Sequence, residues 1–525
     1  MIQNPILKGF NPDPSICRIG DDYYIATSTF EWFPGVQIHH SKDLKHWKLI
    51  AQPLNRKSQL NMKGVPDSCG VWAPCLSYNK GTFYLVYTNV KSFDGVWKDT
   101  PNYVVITQDI LGAWSEPIYL KSSGFDGSFF HDEDKIWFVN MIVDHREGKF
   151  FGGIELQEYS EQNKQLVGDT YYLTEGSVLG KTEGPHIYKR NSYYYLMLAE
   201  GGTEYGHAET MFRAKQITGP YEPHPDNPIL TCALVPEHKI QKSGHASLVE
   251  TQHGDWYITF LLGRPLTELG RCTLGRETGI EAIEWKNDWP YLKSGSALPR
   301  LEIPESNLKP YVLETSDSKY DFDTSELPLD FQSLRIPLNE NILSLTERPG
   351  YLRLKGKESL SSTHTQALVA RRLQHFKARI TTAIDFEPKR FQHLAGLVLY
   401  YNTAHYHYLH ISANDLGEKC LSILSCDNYK QMESKEQIIV PRSSTIYLRA
   451  ETNCGRLQFS FSLNNDNFQN VGEALDLSIL SDDYVTNGSD RYRPAFTGCF
   501  VGLCCQDLSN NALHADFDWF EYIPL

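Results

Sequence analysis

The sequence predicts an all-β protein, a five-bladed β-propeller followed by a C-terminal β-sandwich. Three observations carry that expectation. An aromatic pair recurs through the first half of the chain, as Tyr23-Tyr24, Phe83-Tyr84, Trp137-Phe138, Tyr194-Tyr195 and Trp256-Tyr257. Their first members stand 60, 54, 57 and 62 residues apart, a period long enough for several short strands per unit. Past about residue 300 the repeat stops, and alternating apolar runs separated by turn residues take its place.

The domains are expected at 1–305 for the propeller, 306–325 for a linker and 326–525 for the sandwich. Each repeat opens with a short apolar strand such as Ser15-Ile16-Cys17-Arg18 and turns at Gly20-Asp21-Asp22. The aromatic-pair strand follows, Tyr23-Tyr24-Ile25-Ala26-Thr27, and then a third strand over 35–40. The phrase Ser41-Lys42-Asp43-Leu44-Lys45-His46-Trp47 reads as a turn into an outer strand anchored by an aromatic. It has a counterpart at 107–114 and a weaker one at 214–221. Long helical periodicity is absent, and Gly and Pro recur at turns. Pro304, Pro310 and the polar Glu305-Ser306-Asn307 mark the linker. Strand-like runs then fall at 351–354, 378–384, 395–401, 445–450 and 457–461.

Each aromatic pair is preceded at nearly constant spacing by a residue with chemical potential. Asp13 lies 10 residues before Tyr23, while Trp72, Asp126, Glu183 and His245 lie 11 before their pairs. Equivalent positions in successive blades face one axis, so three carboxylates, an indole and an imidazole are expected to converge. Convergent carboxylates in a concave site are what acid–base hydrolysis of a glycosidic bond requires.

Each of these residues also has a plainer reading. Asp13, held between Pro12 and Pro14, suits a fixed, ionised general base, and an ordinary turn aspartate would look the same. Its register with Glu183 favours the base. Glu183, followed by Gly184-Pro185, suits a general acid if its pocket raises its pKa, and otherwise reads as an ion-pair carboxylate. Asp126 either tunes that acid through its charge or caps an Asx-turn. Trp72 is a stacking wall for a sugar or a core indole. His245 holds a carboxylate, a water or a cation, or is a satisfied structural histidine. Arg276 donates to sugar hydroxyls or pairs with the adjacent Glu277 at the surface. No GxSxG, Walker loop or HExxH occurs.

Composition narrows the partners. A chain of 525 residues suggests two or three domains. A formal charge of −14 argues against a nucleic-acid backbone or an anionic membrane as partner. Aromatics at 12 % suit sugar faces, though β-rich proteins carry many in any case. The first ten residues lack a signal-peptide pattern, and no window approaches the ~18 apolar residues of a membrane span. The 11 cysteines are scattered and show no metal-type spacing, so reduced thiols in a cytoplasmic protein are expected. Asn487-Gly488-Ser489 matches a glycosylation acceptor but reads as a loop in that setting.

Taken together, these stretches resemble glycoside hydrolase family 43, specifically its two-domain β-xylosidases. The likeness rests on 9–44, Val71-Trp72-Ala73-Pro74, Gly124-Phe125-Asp126-Gly127-Ser128, Thr182-Glu183-Gly184-Pro185-His186, Glu200-Gly201-Gly202-Thr203, Gly244-His245-Ala246-Ser247, Leu274-Gly275-Arg276-Glu277 and 496–522, so it spans nearly the whole chain. The resemblance implies a propeller followed by a concanavalin-like sandwich, and an inverting enzyme that removes xylose from non-reducing ends of β-1,4-xylo-oligosaccharides. It implies Asp13 as base, Glu183 as acid and Asp126 as the residue that orients and tunes the acid. It further implies that Phe30, Trp72, Thr203, His245, Arg276 and Phe496 shape the sugar site, Phe496 reaching over from the sandwich. No cofactor is required on this view; a bound cation near His245 and a homo-oligomer are left open. The chain departs from the family at Asn140-Met141-Ile142-Val143-Asp144, where relatives usually carry Trp at the position of Val143. Two other readings stay open: an α-L-arabinofuranosidase, alone or combined with xylosidase activity, and a non-catalytic binding propeller. Five-bladed fructan hydrolases share only the fold, since their Arg-Asp-Pro and Glu-Cys signatures are missing.

Overall fold

Every aromatic pair lies on the second strand of an antiparallel sheet, four-stranded in four cases and five-stranded in the fourth blade, and these five sheets form the blades of a propeller. The structure, a computed structural model, describes residues 1–92, 97–268, 270–313, 318–487, 495–509 and 512–525. Gly488 and Ser489 of the possible glycosylation acceptor lie outside the described residues. From axis to rim the first blade comprises Ser15–Ile19, Asp22–Thr27, Gln37–Ser41 and Lys48–Ala51. The second comprises Gly70–Asn79, Thr82–Val90, Asn102–Thr107 and Ile118–Tyr119, and the third Ser128–Asp132, Lys135–Val143, Phe151–Ser160 and Gln165–Thr174. The fourth comprises Glu183–Arg190, Tyr193–Glu200 and Ala208–Ala214, edged by Glu222–Pro223 and Leu230–Thr231. The fifth comprises Gln241–Glu250, Trp256–Gly263, Arg276–Lys286 and Trp289–Leu292. The innermost strands touch one another in a closed ring.

The recurrence of the aromatic pair has a packing cause. Successive side chains on a strand point to opposite faces, so a pair puts one ring on each side of its blade. Tyr23 enters the cluster shared with the fifth blade, and Tyr24 packs toward the second. Phe83 and Trp137 join one inter-blade cluster while Tyr84 and Phe138 join the opposite one. Tyr194 and Tyr195 split in the same way, as do Trp256 and Tyr257. The pair is the mortar between neighbouring blades.

The turn phrases also behave as read. In the first blade Ser41 Oγ accepts from the N–H groups of Asp43 and Leu44 at 3.1 and 3.0 Å, and Asp43 Oδ1 accepts from Lys45 and His46 at 3.0 and 2.8 Å. Short polar side chains thus satisfy the turn backbone. Trp47 Nε1 closes it on Leu44 O at 3.1 Å. The ring is fastened by the two ends of the propeller: Ile2–Gln3 pairs with Glu302–Ile303, and Asn4 Nδ2 donates to Ile280 O and Arg300 O, both at 2.8 Å.

The sandwich has two antiparallel sheets. One runs in the order Leu343–Ser344, Leu352–Lys355, His514–Pro524, Lys377–Asp385, Ile446–Asn453, Arg456–Ser462 and Gln469–Asp476. The other runs Ala367–Arg372, Phe500–Asp507, His393–Asn402, His405–Ala413, Lys419–Asp427 and Lys430–Glu433. Lys319 and Tyr320, within the stretch read as linker, pair with Glu521 and Phe520 of the C-terminal strand. The run Leu397-Val398-Leu399-Tyr400-Tyr401 is apolar without a break because its sheet is covered on both faces. Leu397, Leu399 and Tyr401 fill the sandwich core, whereas Val398 and Tyr400 join Tyr406, Tyr408 and Phe500 against Phe10, Phe30 and Trp32 of the propeller. Trp32 stacks on Phe500 with centroids 3.7 Å apart and planes 12° apart. Trp32–Phe33 pairs with Ser333–Leu334, a two-stranded splice between the domains.

All eleven cysteines are free thiols. Among the described residues no helix is long and apolar enough to cross a membrane.

Candidate active site

The axial residues are presented by a backbone device that repeats around the ring. In or just before the first half of each inner strand a residue at or beside the site takes the left-handed conformation: Asp13 (φ 55°), Ala73 (φ 35°), Asp126 (φ 55°), Gly184 (φ 57°) and His245 (φ 48°). Four of these five carry a Cβ, and such positions cost of order 1–3 kcal/mol each. The ladder slips beside three of them, between Trp72 and Cys75, between Glu183 and His186, and between Gln241 and Ser247. The result is a bulge that turns the side chain at or just before it toward the axis. Glycine eases the fit at 184: a Cβ there would stand 3.1 Å from His245 Nε2, so the ring would have to shift, in addition to the backbone strain.

Asp13, Phe30, Trp72, Asp126, Glu183, Thr203, His245, Arg276 and Phe496, the nine residues singled out in the sequence, all line one cavity. It encloses about 360 Å³ out to its mouth, at the small end of ligand sites. Phe125, the remaining lining residue, was missed; its only sequence signal was adjacency to Asp126.

On one side stands Asp13, 6 % exposed. Ser28 Oγ donates to its Oδ2 at 2.6 Å and itself accepts from Ala73 N–H at 2.8 Å, so the first and second blades together fix the carboxylate. Arg276 Nη1 lies 3.5 Å and His245 Nδ1 3.7 Å from Oδ1. Burial draws the His245 pKa down, Asp13 acts against that, and Arg276 adds to it, so the ring is held neutral. Ser28 carried no signal in the sequence, because nothing local separates it from any other serine at the end of a strand.

On the other side Glu183 and Asp126 meet. Burial first, and then the Asp13 carboxylate, push the Glu183 carboxyl up to about 8, against the opposing charges of Arg276 and Lys181. Burial, Glu183 and Asp13 hold Asp126 well above the ordinary carboxylate range, with Gly184 N–H and Arg276 acting against them. Asp126 Oδ2 accepts from Gly184 N–H at 3.2 Å, and its own N–H donates to Thr88 Oγ1 at 3.2 Å. Three carboxylates beside one guanidinium do not all ionise in a buried pocket, so at neutral pH protons reside on the Glu183–Asp126 side. Asp126 grips the backbone next to Glu183, and the charge that raises Glu183 comes chiefly from Asp13. His245, on the intervening fifth blade, stands between the two sides, Nδ1 toward Asp13 and Nε2 against Gly184.

Arg276 is 4 % exposed and does not pair with Glu277. Glu277 is taken instead by Arg264, at 2.5 and 2.9 Å, and by Gly9 N–H. Arg276 donates to Thr203 Oγ1 at 2.8 Å and to Phe496 O at 2.9 Å, and its guanidinium lies 5.5 Å from the centroids of both Phe30 and Phe496. The sandwich thereby supplies one wall. Phe496 N–H donates to Ser68 Oγ at 3.1 Å, and Trp72 Nε1 donates to Ser68 O at 3.0 Å. One serine of the second blade's entry loop, itself left-handed (φ 58°), therefore sets two of the aromatic walls, whose centroids are 5.4 Å apart. Among the described residues no group of three or more His, Cys, Asp and Glu side chains is arranged to hold a metal ion.

A small, aromatic-walled pocket with carboxylates on opposite sides suits hydrolysis of a glycosidic bond at a chain end. Known proteins bear on which family built it. The glycosyl hydrolases family 43 pattern matches residues 2–290, and the β-xylosidase C-terminal concanavalin A-like domain matches 319–523. The chain is 48 % identical to a β-xylosidase of Bacillus subtilis (strain 168), covering 99 % of each. It is 46 % identical to xylosidase/arabinosidase 43B of Humicola insolens, covering 100 % of this chain and 98 % of that one. The crystal structure of a xylan β-1,4-xylosidase from Bacillus halodurans C-125 superposes with a TM-score of 0.97 at 49 % identity, each chain covered in full. With both domains matched over nearly their whole length, this chain belongs to glycosyl hydrolase family 43.

Proposed function

We propose that the protein is an exo-acting, inverting β-1,4-xylosidase that releases xylose from the non-reducing ends of xylo-oligosaccharides. The observation that carries this reading is the pocket itself: a small cavity with Asp13 on one side and the raised carboxyl of Glu183 on the other. The names of the full-length relatives support the sugar. Asp13 takes a proton from a water, whose oxygen attacks the anomeric carbon. Glu183 gives its proton to the departing glycosidic oxygen, and Asp126 holds the turn at Gly184 from which Glu183 is presented. The base and the acid sit on blades separated by the fifth, with His245 between them. Blades so spaced should leave room for the water, as in inverting enzymes, which set their carboxylates about 6.5–9.5 Å apart where retaining ones need about 5–5.5 Å. Nascent product from a β-xyloside, read by NMR, should therefore be α-xylose; β-xylose as the first anomer would overturn the mechanism and the role of Asp13.

Because Glu183 must be protonated to act, kcat/KM should fall as pH rises through about 8. The sign is that of a raised acid: its proton is present below that value and lost above it. A profile flat from about pH 6 to about pH 10 would remove Glu183 from the acid role. A second reading, combined xylosidase and arabinofuranosidase activity, draws on the printed name of the Humicola relative. Turnover of aryl β-xyloside against aryl α-L-arabinofuranoside separates the two.

A further inference from the structure

Trp97 is the one tryptophan among the described residues that stands largely in water, at 68 % exposed. An indole so placed forgoes the burial that draws most large apolar rings inside. It is nevertheless held. Its ring lies over His145 with centroids 3.8 Å apart and planes 37° apart. Next to it, Lys98 puts its ammonium 5.5 Å from the centroid of Phe150. Phe150 in turn meets Phe125 at 6.0 Å, and Phe125 lines the pocket. The loop bearing His145 is braced: Asp144 N–H donates to Phe150 O at 3.0 Å, and Arg146 clasps the Asp144 carboxylate through Nε and Nη2 at 2.8 and 2.9 Å. Contacts therefore run outward from the pocket wall, from Phe125 to Phe150, and along the 144–150 loop to His145 and Trp97. On that path the exposed indole stands outward from the Phe125 wall, on the side of the second and third blades.

We infer that Trp97, backed by His145, is the platform on which the leaving-group side of an oligosaccharide rests, and that it sets a preference for oligosaccharides over xylosides with no sugar beyond the scissile bond. This rests on the glycosidase reading above. The pocket is closed by Phe30, Trp72 and Phe496 and is small, so everything past the first ring lies outside its mouth. A sugar ring there has an apolar face of C–H groups, which an exposed aromatic face covers while the hydroxyls stay in water.

The test uses Trp97→Ala and Trp97→Phe on three substrates: methyl β-xyloside, xylobiose and xylotriose. KM for xylotriose should rise about three- to tenfold in Trp97→Ala with kcat little changed, as expected for losing one ring-on-ring contact. Trp97→Phe should recover most of that, and the methyl xyloside, which has no ring beyond the scissile bond, should change by less than about twofold. Equal losses on all three substrates would show a merely structural role, and no loss on any would place Trp97 off the substrate path; either result overturns the inference. A wild-type enzyme inactive on every xyloside would instead overturn the proposed substrate. The same length series on arabino-oligosaccharides would then read Trp97 independently.

Discussion

Replacing Glu183 by alanine should lower kcat on xylobiose by about 10²–10⁴-fold, the usual contribution of a general acid or base. The same change should cost much less on an aryl β-xyloside whose leaving group departs without a proton. Asp13 should behave differently. Its water must be activated whatever the leaving group, so its loss should be equally severe on both substrates. Asp13→Asn is the cleaner variant there. Asp13 sits at φ 55°, a conformation that Asp and Asn accept more readily than Ala, and an amide oxygen still accepts from Ser28 Oγ. Any loss then belongs to the missing base, with the backbone unchanged. Steady-state kinetics on the two substrates, with Tm recorded for each variant, make the comparison. A Glu183→Ala variant equally impaired on both would remove Glu183 from the acid role.

The positions of these groups were legible in the sequence because a propeller converts sequence period into spatial equivalence. Residues 10 or 11 before each aromatic pair had to share the axis, and Asp13, Trp72, Asp126, Glu183 and His245 do line or border one cavity. The aromatic pairs were legible for a related reason, since a blade packed on both faces needs a large ring pointing each way. What the sequence hid is of another kind. The plainer reading of Arg276, an ion pair with its neighbour Glu277, fails because adjacent strand residues point to opposite faces. The Ser28 contact to Asp13 spans 15 residues, and that between Ser68 and Phe496 spans 428. Neither has a period or a local pattern to betray it. Phe496 entered only through resemblance, because no local rule says which loop of a second domain will fill a pocket in the first. Docking of the sandwich was hidden in the same way, although the unbroken apolar run at 397–401 was the trace of a sheet with two covered faces.

That docking leads to the second large effect: Arg335→Ala should lower kcat/KM about a hundredfold, although Arg335 touches no substrate. Arg335 belongs to the sandwich, is 1 % exposed, and is driven into the propeller. Its N–H donates to Glu31 O at 2.8 Å, its Nε to Val65 O at 2.7 Å, and its Nη2 to Asp67 Oδ1 at 2.5 Å. Thr403, also from the sandwich, holds the other oxygen of Asp67 through its N–H and hydroxyl at 3.2 and 2.5 Å. Glu31 Oε2 accepts from Ser68 N–H at 3.1 Å. The clamp therefore closes on residues 65–68, and Ser68 is the residue that sets both Trp72 and Phe496. Removing one partner of a buried ion group typically costs about 3–5 kcal/mol. Here the cost should fall toward the lower figure. Burial and Asp67 already push Glu31 up to about 8, so it can stay protonated once the cation is gone. The apolar face around the Trp32–Phe500 stack should keep the domains together. What fails is the placing of two aromatic walls, and misplacement near 1 Å is enough for losses of about 10²-fold. The damage should show more in KM than in Tm, Asp67→Asn should be milder because Thr403 keeps an acceptor, and Arg335→Lys should rescue only partly, since an ammonium cannot fork between Val65 O and Asp67. A chain cut near residue 310 should lose activity outright, because it lacks Phe496 and bares Phe10, Phe30 and Trp32 to water. Wild-type kcat/KM in a well-folded Arg335→Ala variant would show that apolar docking alone shapes the pocket and that the clamp has no part in it.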